Sequence, residues 1–402
     1  MQKADVIIIG AGAAGLMCAI EAGKRGRNVV VIEHANKPGK KILMSGGGRC
    51  NFTNTQIIPD NYISHNKHFC KSALSCYTSS DFIDLVNQYK IPFHEKKLGQ
   101  LFCDHKSKDI LDMLLSLCEK YSVTIYLNTE IISIHQLNFN SPYFELKTNH
   151  ADFSGFQCSS LVIATGGLSI PTMGASPFGY KIAEQFGLKV WPTRAGLVPL
   201  TLHPEDKEIY SLLTGIGVDS ITSNNKINFR ENILFTHRGI SGPAILQISS
   251  YWQPGENIFI NLLPDINLSD ILKSLHKQKI QKSLKSILLE YLPKRIVEIF
   301  LNRIFSTEKQ LQVISQFSHK ELEKIAFLFH AWSLKPNGTE GYRTAEVTLG
   351  GVDCNSISSK TMEVNSVQGL YFIGEVLDVS GWLGGYNFQW AWSSGFAAGQ
   401  VV

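Results

Sequence analysis

Asp5-Val-Ile-Ile-Ile-Gly-Ala-Gly-Ala-Ala-Gly15, followed by Val29-Val-Val-Ile-Glu33, is the stretch that decides the fold. Residues 5 to 9 are a short run of β-branched residues, the pattern of a strand buried in a parallel sheet. Gly10, Gly12 and Gly15 follow at GxGxxG spacing, and Ala13 to Lys24 reads as a helix. Val29 to Ile32 reads as a second buried strand that ends at Glu33. Each part has a physical task. Gly10 permits the tight turn, Gly12 lets backbone approach a pyrophosphate, and Gly15 lets helix and strand pack closely. Ala13, Ala14 and Gly15 open a helix whose free N–H groups and positive dipole end suit phosphate. Glu33 stands about 20 residues on, where a carboxylate accepts from both ribose hydroxyls.

GxGxxG alone does not separate FAD from a nicotinamide dinucleotide; the flanking segments do. Pro38-Gly-Lys-Lys-Ile-Leu-Met-Ser-Gly-Gly-Gly-Arg-Cys-Asn51 follows the ribose strand. At this position two-domain FAD proteins carry a glycine-rich loop along the diphosphate and ribityl chain, which makes Lys41, Ser45, Gly46, Gly47 and Gly48 candidates for cofactor contact. Leu161-Val-Ile-Ala-Thr-Gly-Gly167 resembles the strand-turn of that superfamily, with Ala164, Thr165 and Gly166 at the turn. Gly369-Leu-Tyr-Phe-Ile-Gly-Glu375 resembles its last flavin-binding strand. There Gly374 and Glu375 take the place of the acid on the ribityl hydroxyls, with Asp378 the weaker candidate. Gly384 and Gly385 precede a helix that opens at Tyr386 and Asn387 and runs to Ala398. Its positive end suits the pyrimidine edge of a flavin ring, where negative charge develops on reduction. Trp382, Trp390 and Trp392 read as core residues.

On these residues the chain resembles the BaiN/YhiN-like family of bacterial FAD-binding proteins. The matching segments are Lys41 to Asn54, Leu234-Phe-Thr-His-Arg-Gly-Ile-Ser-Gly-Pro-Ala244, Gly341-Tyr-Arg-Thr-Ala-Glu-Val-Thr-Leu-Gly-Gly351, and Gly374 to Trp392. The resemblance implies an α/β, Rossmann-like two-domain FAD-binding fold that is discontinuous, interrupted by a β-rich part and a helical subdomain. The expected boundaries are 1–194 and 336–402 for the FAD domain, 195–265 for the β-rich insert and 266–335 for the helical insert. Activities attached to the resemblance are reduction of conjugated double bonds in steroid-like molecules, aminoacetone oxidation, and reduction of uridine in ribosomal RNA.

The 402 residues suffice for two or three domains, and 44% hydrophobic with 18% charged residues is ordinary for a globular protein. The eight cysteines form no CxxC pair and no Cys/His cluster of zinc spacing, so no metal site is expected. Scattered thiols suit a reducing compartment, and the cytoplasm is the expected location. Val6 to Ile20 is too short to span a membrane, which takes about 20 apolar residues, and lacks the basic start of a secretory signal.

Strands are expected around Val123 to Ile134 and Tyr143 to Thr148, and short strands from Leu197 to about Leu263. Ser241 reads as an N-cap with Pro243 in the first turn. Leu284, Ile287, Leu288, Tyr291 and Leu292 read as a buried helical stripe, and Ser318 with Glu321 as a capping box. Residues 266–335 hold twelve Lys/Arg against six Asp/Glu, an excess of +6 where the whole chain carries +4. Lys273, Lys277, Lys279, Lys282 and Lys285 run with no acid between them. Such a run is either a solvated face or a polyanion-binding surface.

A single GxGxxG and no paired redox cysteines exclude a disulfide reductase. NAD(P)H, where used, docks transiently near the flavin. Hydride transfer from flavin often needs an acid to protonate the neighbouring carbon. Cys50 is the candidate acid, against the reading of a buried apolar thiol. Arg49 and Asn51 are candidates to act beside it, and His237 and Arg343 to orient substrate. The leading expectation is an NAD(P)H-linked reductase of a C=C bond in a small molecule. The alternatives are an rRNA-modifying flavoenzyme that makes dihydrouridine and grips RNA through the basic insert, and an amine oxidase or non-enzymatic flavin-binding protein.

Overall fold

The computed structural model describes residues 1–137, 144–150 and 154–402. The chain forms two compact units, Met1–Ala195 with Glu346–Val402, and Gly196–Ala345.

In the first unit the elements that build the nucleotide side are, in chain order, β1 (Gln2–Ile9), α1 (Ala13–Lys24), β2 (Val29–Ile32), α2 (Lys40–Gly48), β3 (Thr124–Tyr126), β4 (Ile131–Gln136), β5 (Phe144–Thr148), β6 (Gly155–Ile163), β7 (Val347–Val352), β8 (Leu370–Phe372) and α3 (Tyr386–Gly399). β1 pairs in parallel with β2 on one side and β6 on the other, and β3 extends the sheet beyond β2. The far edge of β6 is divided. Its first half pairs antiparallel with β5, which continues to β4, and its second half pairs in parallel with β8. Tyr143, expected to begin the β5 strand, lies outside the described residues.

The register does the positioning. Ile9 lies opposite both Ile32 and Ile163, and Ile163 opposite Phe372. The carboxyl ends of four parallel strands therefore share one edge, where open α/β sheets bind ligands. Gly10, Glu33, Ala164 and Gly374, distant in sequence, leave the sheet side by side.

Val6, Ile7, Ile8, Val31, Val162 and Phe372 are fully enclosed, as strands covered on both faces are. Helix α1 is buried along most of its length and packs against α3. Two glycines of α3 allow that approach: a Cβ on Gly395 would lie 2.5 Å from Ala14 O, and one on Gly399 2.5 Å from Glu21 Cβ. Trp390 and Trp392 are core residues, their indole N–H groups donating to Gly374 O at 3.0 Å and Phe52 O at 2.8 Å.

The second unit contains a seven-stranded antiparallel sheet. Its order is Trp332–Leu334, Ile258–Asn261, Gly217–Ser223, Asn228–Phe235, Gly239–Ser241, Leu200–Leu202 and Pro336–Thr339. Asn228–Phe235 alternates strictly between exposed and buried, the pattern of a sheet with one covered face. Helices Leu268–Lys277, Leu284–Leu288, Lys294–Asn302 and His319–His330 lie in the chain between the strands Ile258–Asn261 and Trp332–Leu334.

Two local expectations need correction. The helix Pro243–Ser249 is capped by Gly242, not Ser241. Gly242 takes φ +90°, and a Cβ there would meet Asn232 O at 2.6 Å, so packing against the neighbouring strand sets the turn. The stripe from Leu284 ends its helix at Leu288; Leu292 is buried beyond it, but Tyr291 is exposed. The capping box of Ser318 and Glu321 is present, with reciprocal bonds of 3.2 and 2.7 Å.

The run of five lysines changes character in three dimensions. Lys273 pairs with Glu323 at 2.9 Å, Lys282 with Glu290 at 2.8 Å and Lys285 with Glu298 at 2.7 Å. Acids distant in sequence thus neutralise three of the five. No described helix is long and apolar enough to cross a membrane.

Candidate active site

The turn after β1 is shaped by close packing at Gly10 and Gly15 and by openness at Gly12. Gly10 has φ +111°, and a Cβ on it would lie 2.4 Å from Ala164 O. A Cβ on Gly15 would lie 2.0 Å from Gly10 O, so helix and turn touch backbone to backbone. Gly12 is different: its φ of −85° suits any residue, and a Cβ there meets nothing within 4 Å. No protein atom requires this glycine. The space it leaves faces the start of α1, which has no side-chain cap to occupy its N–H groups.

Glu33 follows β2 at the same sheet edge. Its two carboxylate oxygens accept from Ala11 N and Ala35 N, both at 2.9 Å, with His34 Nδ1 at 3.2 Å. Each oxygen keeps a further lone pair for a ribose hydroxyl.

The glycine-rich segment begins as a helix, Lys40–Met44, and then leaves helical geometry at Ser45, Gly46 and Gly47. Gly39 N donates to Ala11 O at 2.8 Å, which ties this segment to the first turn. Gly46, Gly47, Gly48 and Cys50 all have positive φ. A Cβ on Gly46 would meet Asn51 N and the Phe102 ring at 2.9 Å, whereas Gly47 and Gly48 face open space. The Ser45 hydroxyl donates to Ile42 O at 2.8 Å and so braces the bend.

Glu375 sits in the turn after β8, at the centre of a polar cluster. Lys41 Nζ lies 2.8 Å from Glu375 Oε2 and 2.8 Å from Ser169 Oγ. Thr348 N donates to Glu375 Oε1 at 2.9 Å, and Ser169 Oγ lies 3.1 Å from the same oxygen. Burial alone would raise the Glu375 carboxyl, but Lys41 and these donors outweigh it and hold it below the ordinary range. Gly166, at φ +71°, would place a Cβ 3.8 Å from Glu375 Oε2. The Thr165 hydroxyl is enclosed against Gly179, and Gly374, at φ +72°, packs on Ala14. Asp378 is committed elsewhere: it accepts from His65 N and pairs with His65 Nδ1, both at 2.8 Å.

Helix α3 begins without a side-chain cap after Gly384 and Gly385, at φ +102° and +96°. A Cβ on Gly385 would lie 2.3 Å from Thr53 C and O. The side chains here are braces. Asn387 bonds to Gly381 N and O at 2.8 and 2.9 Å, and the Tyr386 hydroxyl joins Gln56 O and Asn61 at 3.0 and 2.9 Å. Backbone N–H groups at the positive end of the helix are left without a side-chain cap.

The expected catalytic residues separate. The Cys50 side chain has no accessible surface, and burial pushes its thiol up to about 12. It is a core residue with no surface to offer a ligand. Asn51, with its amide oriented to match donor with acceptor, donates to Leu101 O and Thr53 O at 3.1 Å and accepts from Gly385 N at 3.2 Å. It ties the glycine loop to the start of α3. Arg49 is exposed and has no side-chain partner among the described residues. His237 and Arg343 belong to the second unit and are likewise exposed and unpartnered among the described residues.

Sequence reasoning missed Ser169, Thr348 and Glu346. Ser169 Oγ lies 3.2 Å from Glu346 O, which pins the Glu346 backbone to the Lys41–Glu375 cluster. The Glu346 side chain keeps solvent contact, while desolvation by the surrounding chain pushes its carboxyl up to about 7. Glu346 and Thr348 both lie in the Gly341–Gly351 segment quoted above, and that was the available signal.

The donor set fits FAD. The open Gly12 and the uncapped start of α1 stand at the sheet edge, with the carboxylates of Glu33 and Glu375 following two of its other strands. This fold and site define an FAD-dependent oxidoreductase. The profile of the HI0933-like protein Rossmann domain matches residues 4–401, and the chain belongs to that family. It is 56% identical over 406 residues to a protein of Escherichia coli K12 named ribosomal RNA dihydrouridine synthase, covering 100% of this chain and 98% of that one. A Haemophilus influenzae protein of the same name is 51% identical, with 98% of both chains covered. At 26% identity, again over 98% of both, stands the 3-dehydro-bile acid delta(4,6)-reductase of Clostridium scindens. In fold the chain is similar to the 3-ketosteroid-delta4-(5alpha)-dehydrogenase of Rhodococcus jostii, with TM-score 0.50 and 14% identity over 99% of this chain and 97% of that one.

Proposed function

We propose that this protein reduces the C5=C6 bond of a uridine in ribosomal RNA to give dihydrouridine. The observation that carries the reading is full-length identity above one half to two proteins bearing that name, against 26% to the bile-acid reductase. This reverses the order drawn from sequence, where a small-molecule substrate came first. The chemistry is common to both, since each reduces a carbon–carbon double bond conjugated to a carbonyl.

Bound FAD would supply the hydride, replenished by a reduced pyridine nucleotide. Hydride adds at C6, the carbon β to the C4 carbonyl, and the electron pair moves to the C4 oxygen. A proton at C5 completes the product. We assign that proton to Glu346, whose backbone is tied through Ser169 to the Lys41–Glu375 cluster and whose carboxyl is raised toward neutral pH. Lys41, Ser169 and Thr348 fix Glu375 for the ribityl chain, and Glu33 takes the adenosine ribose. Arg49, exposed beside the glycine loop, is placed to meet a phosphate.

The test is chemical. Ribosomal RNA from a strain lacking this gene should lack one dihydrouridine, and the purified, yellow, FAD-bearing protein should restore it in vitro with NADH or NADPH. An unchanged dihydrouridine inventory, or purified protein carrying FMN or no flavin, overturns the reading.

A further inference from the structure

The six acids of residues 266–335 are all engaged, and their partners reveal which cations remain. Glu290, Glu298 and Glu323 pair with Lys282, Lys285 and Lys273, and Glu321 lies 3.3 Å from Lys309. Asp270 and Glu308 sit in first turns of helices, bonded to the capping residues Asn267 and Ser306. Six lysines, Lys277, Lys279, Lys294, Lys320, Lys324 and Lys335, are exposed and have no side-chain partner among the described residues.

Four of the six, Lys277, Lys279, Lys320 and Lys324, are gathered at one place. Lys277 ends the Leu268–Lys277 helix, and Lys279 follows at φ +54°, its N–H bonded to His276 O at 3.0 Å. Lys320 and Lys324 lie one turn apart in the His319–His330 helix. The two helices run antiparallel side by side. Lys273 meets Glu323, and farther along His276 meets His319 with ring centroids 5.0 Å apart. The C-terminal end of one helix therefore adjoins the N-terminal end of the other.

We propose that this end of the helix pair is the surface on which the phosphate backbone of the RNA docks, with Lys277, Lys279, Lys320 and Lys324 as its contacts. The proposal rests on the RNA reading above. The partner is a polyanion because the patch offers mobile point charges rather than a cavity. Unpaired lysines keep their full charge for phosphate, and each contact releases condensed counterions. Lys273, Lys282 and Lys285, already paired, have little to offer.

The experiment measures binding of a ribosomal RNA fragment to the FAD-loaded protein over a range of salt concentrations. Compared are wild type, the triple variant Lys277→Glu/Lys279→Glu/Lys320→Glu, and the control Lys273→Glu/Lys282→Glu/Lys285→Glu with the same change in net charge. FAD content and melting temperature show whether each variant is folded. Should the control not fold, Lys→Gln at the same three positions replaces it, with the matching Gln triple at the patch. The patch variant should bind at least ~10-fold more weakly at moderate salt, with its log–log salt slope reduced by about 2, at about 0.7 per lost contact. The control should lose clearly less. Equal RNA binding by wild type and patch variant overturns the proposal, as does an equal loss in the control. Cosedimentation with phosphatidylserine vesicles, abolished in the patch variant while RNA binding is untouched, overturns it in favour of a lipid surface. Wild-type protein that neither binds nor modifies RNA removes the RNA reading itself, a result distinct from the other three.

Discussion

Cys50 takes φ +47° in the core with no accessible surface, whereas the Glu346 side chain keeps some solvent contact within a crowded surrounding, so the two candidate acids differ in access before they differ in acidity. Cys50→Ala should leave flavin reduction and substrate turnover within a few-fold of wild type, provided the protein folds. Glu346→Gln should keep FAD content and reduction by NAD(P)H but slow substrate reduction about 10²- to 10⁴-fold, the usual contribution of a positioned acid. The pH dependence has a definite sign. A carboxyl raised to about 7 donates its proton below that value and is ionised above it. Wild-type turnover should therefore fall as pH rises through about 7, and the Gln variant should lose that step. The same shift lowers the stability of the fold as pH rises from the ordinary carboxylate value to about 7, because the unfolded chain ionises first, and costs no more above that. Single-turnover oxidation of prereduced enzyme by substrate, read at the flavin band across pH, decides the assignment; an unchanged profile in Glu346→Gln removes it. Glu33→Ala belongs to the same scale. It should weaken FAD binding at the adenosine end without altering the spectrum of the saturated protein, as equilibrium dialysis and absorbance together would show.

At the scale of elements, the glycines of the first turn separate fold from ligand. Gly15→Ala drives a Cβ to 2.0 Å from Gly10 O, an overpacking that costs about 1–3 kcal/mol or more and should lower the melting temperature with or without FAD. Gly12→Val meets no protein atom and has an ordinary φ, so its melting temperature without FAD should stay within a few degrees of wild type. FAD binding should nevertheless be lost, because the side chain fills the pyrophosphate's space. If Gly12→Val binds FAD normally, the diphosphate path is wrong. These elements were legible in the sequence because they are local. A β-branched run, a GxGxxG turn, a helix and an acid lie within 33 residues, and the capping box of Ser318 and Glu321 needs only four. What was not legible depends on contacts between distant segments. Ser169, Thr348 and Lys41 converge on Glu375 only through the strand register. The acids that neutralise Lys273 and Lys285 lie 50 and 13 residues away. Cys50 looked reactive beside its glycines, and nothing local announces that its thiol turns inward.

For the whole molecule, all the proposed FAD contacts belong to the first unit, while the second has a sheet and core of its own. The second unit also leaves and re-enters the chain at neighbouring points. Glu340 N donates to Pro199 O at 3.0 Å, and Leu200 pairs opposite Thr339. An insert whose ends are joined by strand pairing meets the usual condition for independent folding. Residues 196–345 expressed alone should therefore fold cooperatively, remain colourless, and melt at a temperature that added FAD does not change. In the full chain, FAD binding should stabilise the first unit by about 2.7 kcal/mol at a free concentration 100 times its Kd. Calorimetry should then resolve one transition that rises with FAD and one that does not. Failure of the isolated segment to fold, or a single transition shifting as a whole with FAD, would show that the two units are energetically one.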